Sequence, residues 1–97
     1  MDSKTRAKLR GLASTINASV IIGKEGVTQN VVAQISTELD SRELVKITIL
    51  PDELDRKQIL DNLAKILGAE AICMVGKKIV LYRYSTKKKV KHVLSVD

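Results

Sequence analysis

The stretch Val20-Ile21-Ile22-Gly23-Lys24-Glu25-Gly26-Val27-Thr28 sets the terms for the rest of the chain. Three consecutive β-branched residues read as a strand. They end at a glycine, two charged residues follow, and a second glycine comes before Thr28, a good helix N-cap. Val31, Val32, Ile35 and Leu39 then recur at helical spacing. The order is strand, tight G-x-x-G loop, helix. Neither glycine carries a Cβ, so the backbone there can approach a ligand closely. The loop ends at a helix N-terminus, where free N–H groups and the dipole favour an anion. Lys24 puts a positive charge at the tip. The chemistry on offer is phosphate binding by Gly23, Lys24, Glu25 and Gly26, without catalysis. A plain turn would use the same residue types, so the remaining chain has to decide.

Upstream, Ser3 is placed to cap a helix running to about Thr15, with Leu9, Leu12, Ala13 and Ile16 as its apolar stripe. Lys4, Arg6, Lys8 and Arg10 crowd its first half. Positive charge there opposes the dipole, which favours a binding role over a merely solvated face. The first strand spans Ser19 to Ile22, and its unbroken apolar run predicts burial on both faces. The second helix runs from about Thr28 to Ser41. Leu44 to Leu50 form a second strand in which Lys46 and Thr48 alternate with apolar residues, predicting a wetter face and an edge position. Pro51 ends it, and Asp52 is expected to cap a third helix carrying Ile59, Leu60, Leu63, Ile66 and Leu67 inward, closed by Gly68. Glu70–Val75 and Ile79–Tyr84 form two last strands joined by a Gly76-Lys77-Lys78 turn, with helices on both sides of the sheet. Tyr82 is expected to pack on that sheet, and Tyr84 to offer one stacking surface. The expectation is a single α/β domain, α-β-α-β-α-β-β, with a mixed four-stranded sheet and three helices over residues 1–84. Residues 85–97 read as a flexible basic tail, dispensable for folding, in which Val90, Val93, Leu94 and Val96 are the apolar exceptions.

Composition bounds the partner. The chain has 97 residues and a net charge of +6, a balance that points to a polyanion. The charge is uneven. From Glu38 to Asp61 there are seven acids and four bases, so the positive excess lies in the first helix, the loop, the hairpin turn and the tail. Tyr82 and Tyr84 are the whole aromatic complement. Binders that stack unpaired bases on aromatic rings need more, so contact with a nucleic acid should run mainly through phosphates, sugars and shape.

Other chemistries lack their parts. The single cysteine, Cys73, lies in an apolar run and reads as a buried inert thiol, and no intrachain disulfide can form. The single histidine, His92, has no ligand cluster around it in sequence, so no metal site and no cofactor are expected. A phosphate-loop enzyme needs G-x-x-x-x-G-K-S/T. Ala18 and Ala71 stand where its first glycine belongs, and Glu25 and Lys78 replace its hydroxyl residue. Asp52, Glu53 and Asp55 read as helix-start charges, not as a catalytic carboxylate pair. The charged first ten residues carry no apolar signal core and no run approaches membrane-spanning length. A monomer of the cytoplasm, away from membranes, is the expectation. An architectural DNA-binding protein would use the same charge and stays open at this point.

Four separated runs then resemble one family. Leu9-Arg10-Gly11-Leu12-Ala13 is similar to its first-helix signature, and Gly23-Lys24-Glu25-Gly26-Val27-Thr28 to its glycine loop. Arg42-Glu43-Leu44-Val45-Lys46-Ile47 resembles the entry to its second strand, and Val75 to Arg83 its closing hairpin. These mark the CRM domain, and the small stand-alone YhbY-type proteins in particular. The resemblance implies an RNA-binding domain similar in fold to the C-terminal domain of bacterial translation initiation factor three. It implies association with ribosomal RNA in precursors of the large ribosomal subunit, while plant relatives with repeated copies assist intron splicing. It carries Gly23, Lys24 and Gly26 over directly, with Glu25 at the variable loop position. Lys4, Arg6, Lys8, Arg10, Lys77, Lys78 and Arg83 complete the expected RNA-binding set.

Overall fold

The structure, a computed structural model, describes residues 1–94. Val96 therefore lies outside the described residues, as do its two neighbours. The elements are α1 (Ser3–Ala13), β1 (Val20–Ile22), α2 (Gln29–Arg42), β2 (Leu44–Ile49), α3 (Arg56–Leu67), β3 (Glu70–Val75) and β4 (Lys78–Tyr82). The sheet order is β1-β2-β4-β3. β1 runs parallel to β2, and β4 lies antiparallel to both β2 and β3. The mixed four-stranded sheet with three helices is as expected. No helix among the described residues is long and apolar enough to cross a membrane.

Each face of the sheet has its own core. Val20, Ile22, Val45, Ile47, Ile49, Ile79 and Leu81 pack with Ile35 and Leu39 of α2 and Leu60 and Leu63 of α3. On the other face, Leu9 and Ala13 of α1 pack on Leu44, Ile72, Val80 and Tyr82. α1 is too short to cover that face fully. Two expectations fail for this one reason. Ile21, on the α1 side, is 61% exposed, so β1 is not buried on both faces. β2 is a central strand, not an edge; Lys46 and Thr48 are polar because α1 stops short above them. Val75 is 66% exposed on the same side.

Helix starts differ from the expected positions for local reasons. Asp2 caps α1, its carboxylate accepting the Thr5 N–H at 2.8 Å. Hydrogen bonding from Thr5 holds that carboxyl below its ordinary value, so a negative charge sits at a helix end otherwise crowded with cations. The helix ends at Ala13 because the Ser14 and Thr15 hydroxyls turn back onto the Gly11 and Leu12 carbonyls, both at 2.7 Å. Thr28 caps α2 through the Val31 N–H at 3.1 Å, as expected. α3 is capped by Asp55, not Asp52. Pro51 to Leu54 make a turn first, and the Leu54 side chain packs into the larger core. Ile66 of α3 is exposed, as is Leu12 of α1.

The segment after β4 is not a loose tail. Glu43 is completely buried and links α2 directly to β2, at φ 67°. Its carboxylate accepts the Ser85 N–H at 2.6 Å and the Val93 N–H at 2.9 Å, and His92 Nδ1 lies 2.7 Å away. Ser85, itself buried, donates its hydroxyl to the Asp40 carbonyl at 2.6 Å. Val93 and Leu94 pack against the α1-side core. Residues 85–94 therefore fold back onto the domain, and the boundary placed after residue 84 does not mark the end of its contacts. None of Val90, Val93 or Leu94 lies in a strand.

Candidate nucleic-acid interface

The loop after β1 forms a tight turn in which the Gly26 N–H donates to the Gly23 carbonyl at 3.0 Å. Gly26 sits at φ 70°, where a side chain would be strained; Gly23 does not. A Cβ at either position would meet open space. The turn thus needs one glycine for its backbone, and the bareness of Gly23 is left over for a close neighbour. Lys24 and Glu25 are exposed at the tip. Thr28 takes the Val31 N–H, while the N–H groups of Gln29 and Asn30 have no acceptor within the helix.

Strand register carries this loop to the same end of the sheet as the β3–β4 turn. Ile22 is paired with Ile49, and the Ile49 N–H donates to the Lys77 carbonyl at 2.7 Å. On the α1 side a single row crosses all four strands at this end: Ile21, Thr48, Lys78 and Val75, in register. None of these four residues is buried.

Where α1 stops, a groove of about 630 Å³ opens between the helix and this row. Arg10, Lys46, Lys77 and Lys78 line it, and no acidic residue does so among the described residues. Its apolar side is the exposed Val75 and the half-buried Cys73, above Ala13 and Val80 of the core. A β-bulge between Ala71 and Cys73 shifts β3 so that Cys73 and Val75 both face the groove. Burial pushes the Cys73 thiol up, and attraction to the nearby Arg10 and Lys46 offsets it only in part. The thiol is half-buried in the groove wall, a more open place than the buried one expected. Lys46 is held in place by the Ile16 carbonyl, which accepts from its Nζ at 2.9 Å. Lys77 is shared with Asp52, 3.7 Å away.

The other expected contact residues divide. Arg10 joins the groove. Lys4 and Lys8 lie on the outer side of α1, about 120–160° around the helix from Arg6 and Arg10. Arg6 is taken up at the opposite end of β3, donating to the Ala71 carbonyl beside Glu70. Arg83 is the clearest correction. Its guanidinium donates to the Leu67 carbonyl at 2.9 Å, the Ser36 carbonyl at 3.0 Å and Asp40 at 3.1 Å. It ties α2 to the end of α3 on the face away from the groove, through both Nη1 and Nη2. Tyr84 is exposed, but His92 already stacks on one face of its ring, with centroids 4.4 Å apart. The sequence reading missed Lys46 and Thr48. Their signal was present as two polar residues alternating on a strand whose other residues are buried.

The model of the CRS1/YhbY (CRM) domain matches residues 1–83 of this chain. The chain belongs to the CRM domain family. An RNA-binding protein of Haemophilus influenzae is 31% identical over 91 residues, covering 93% of this chain and 92% of the relative. The probable RNA-binding protein YqeI of Bacillus subtilis is also 31% identical, over 92% of this chain and 94% of its own. The solution structure of SAV1595 from Staphylococcus aureus superposes with a TM-score of 0.80 at 33% identity, over 92% of this chain and 94% of that one. The family match stops at residue 83, while this CRM chain packs on through Leu94.

Proposed function

We propose that this protein binds RNA, and that its target is structured ribosomal RNA in the assembling large ribosomal subunit, in the cytoplasm. The observation that carries the reading is the meeting, at one end of the sheet, of the Gly23–Gly26 turn, the lysine-bearing β3–β4 turn and the acid-free cationic groove. The RNA-binding names of relatives that span nearly the whole chain support the choice of RNA. Phosphate contacts would come from loop amides, Lys24, Lys78 and Arg10. The reading is of a binding protein and not an enzyme. The groups with reactive potential serve structure: His92 is engaged by Glu43, and Cys73 is held toward its neutral form. The test is affinity for fragments of large-subunit RNA set against duplex DNA of matched length, across a salt series. Tighter binding to the RNA, with Lys24→Glu and Lys78→Glu each weakening it, is expected. Equal affinity for DNA would turn the reading toward a general polyanion binder.

A further inference from the structure

We propose that the groove between α1 and the uncovered end of the sheet receives one unpaired nucleotide of the bound RNA. The proposal rests on the RNA-binding reading and deepens it. Its volume of about 630 Å³ falls within the range of roughly 300–1,000 Å³ typical of small-ligand pockets. Its composition is two-sided. Val75 and the half-buried Cys73 offer an apolar face above the buried Ala13 and Val80, whereas Arg10, Lys46 and Lys78 stand around it as cations. A surface that contacted phosphates alone would gain nothing from apolar residues in its midst, and exposing Val75 to water there is unfavourable. An unpaired nucleotide has a matching division, an apolar base face and an anionic phosphate. The neighbouring Gly23–Gly26 turn would hold the backbone on one side as the base enters.

The slot does not depend on aromatic stacking, since no aromatic residue lines it among the described residues. Thr48 lines the groove, in register with Ile21 on one side and Lys78 on the other. Its hydroxyl can donate to or accept from a base edge. Paired bases in an RNA duplex are stacked and have no free face to offer. The groove therefore distinguishes RNA containing a bulged or looped-out nucleotide from uniform duplex.

The experiment compares an RNA hairpin carrying one bulged nucleotide with the same hairpin fully paired. The intact protein should prefer the bulged RNA by on the order of tenfold, the size of one hydrogen-bonded base contact. Bound bulged RNA should also protect Cys73 from alkylation, and the paired hairpin should not. Val75→Glu, at an exposed edge-strand position, should reduce the preference to near one. Lys24→Glu should lower both affinities and leave the preference intact. If the wild-type protein binds both hairpins equally and neither protects Cys73, the groove proposal falls while RNA binding stands. If neither hairpin nor any large-subunit RNA fragment binds, the functional reading falls and this proposal with it.

Discussion

At the scale of single residues, the two loop glycines have separate reasons to be glycine. Gly26 adopts a positive φ, so Gly26→Ala should strain the turn by about 1 kcal/mol and lower the unfolding temperature. Gly23 has ordinary backbone and open space around it. Gly23→Ala should fold with wild-type stability, or slightly better. If RNA backbone approaches this turn, the same substitution should still weaken binding severalfold. A Gly23→Ala protein with full affinity would mean that only the turn needs these residues. Arg83 and Arg6 give the opposite test. Their guanidinium groups are committed to carbonyls and carboxylates within the domain. Arg83→Ala should lower stability by about 2–4 kcal/mol, since it strips several charge-assisted hydrogen bonds. Its folded fraction should bind RNA normally, as judged by affinity per active molecule. No property of the sequence alone separated these arginines from Arg10. Which cation is spent inside depends on which carbonyl the fold brings near it.

At the scale of elements, the segment after β4 depends on Glu43. Burial alone would push this carboxyl up, but hydrogen bonds from Ser85, His92 and Val93 outweigh burial and hold it below its ordinary value of 4.5. A lowered folded value means that the contribution is fully present above about pH 4.5 and is lost as pH falls through the folded value. The difference in stability between the wild-type protein and Glu43→Gln should therefore narrow on acidification from neutral pH to about pH 3. A constant difference across that range would remove the carboxylate from the account. At neutral pH, Glu43→Ala should cost about 2–3 kcal/mol net, because bonds to a charged acceptor are strong but its desolvation is relieved. For a domain of this size that is a fall of roughly 10–20 °C in Tm. Truncation after residue 84 should destabilise similarly, against the expectation of a dispensable tail. The polar run of four lysines hid this contact, since Lys87, Lys88, Lys89 and Lys91 are all exposed while His92 and Val93 carry the packing. The element pattern itself was legible because hydrophobic periodicity, Thr28, Gly68 and the hairpin glycine are local signals. The edge position assigned to β2 failed because alternation reports how well a face is covered, and here a short α1 exposes a central strand.

At the scale of the whole molecule, a net charge of +6 overstates the binding surface. Lys4 and Lys8 face outward on α1, Arg6 and Arg83 are used within the domain, and Lys77 is shared with Asp52. The loop was legible from its glycines and from the helix that follows. The groove was not, because it is assembled from α1, β2, β3 and β4 and no run of sequence contains it. Loss of one true phosphate contact should lower the log–log salt slope by a little under one unit. Lys78→Ala should do so and Lys4→Ala should not. The most direct measurement is a titration of the isotope-labelled protein with ribosomal RNA, following every backbone amide by NMR. The account predicts the largest shifts at Gly23–Gly26, Gln29, Thr48 and Lys78, with Lys4, Lys8 and Arg83 nearly unmoved. Shifts confined to the outer face of α1 and to residues 87–91, with the loop and groove silent, would contradict it.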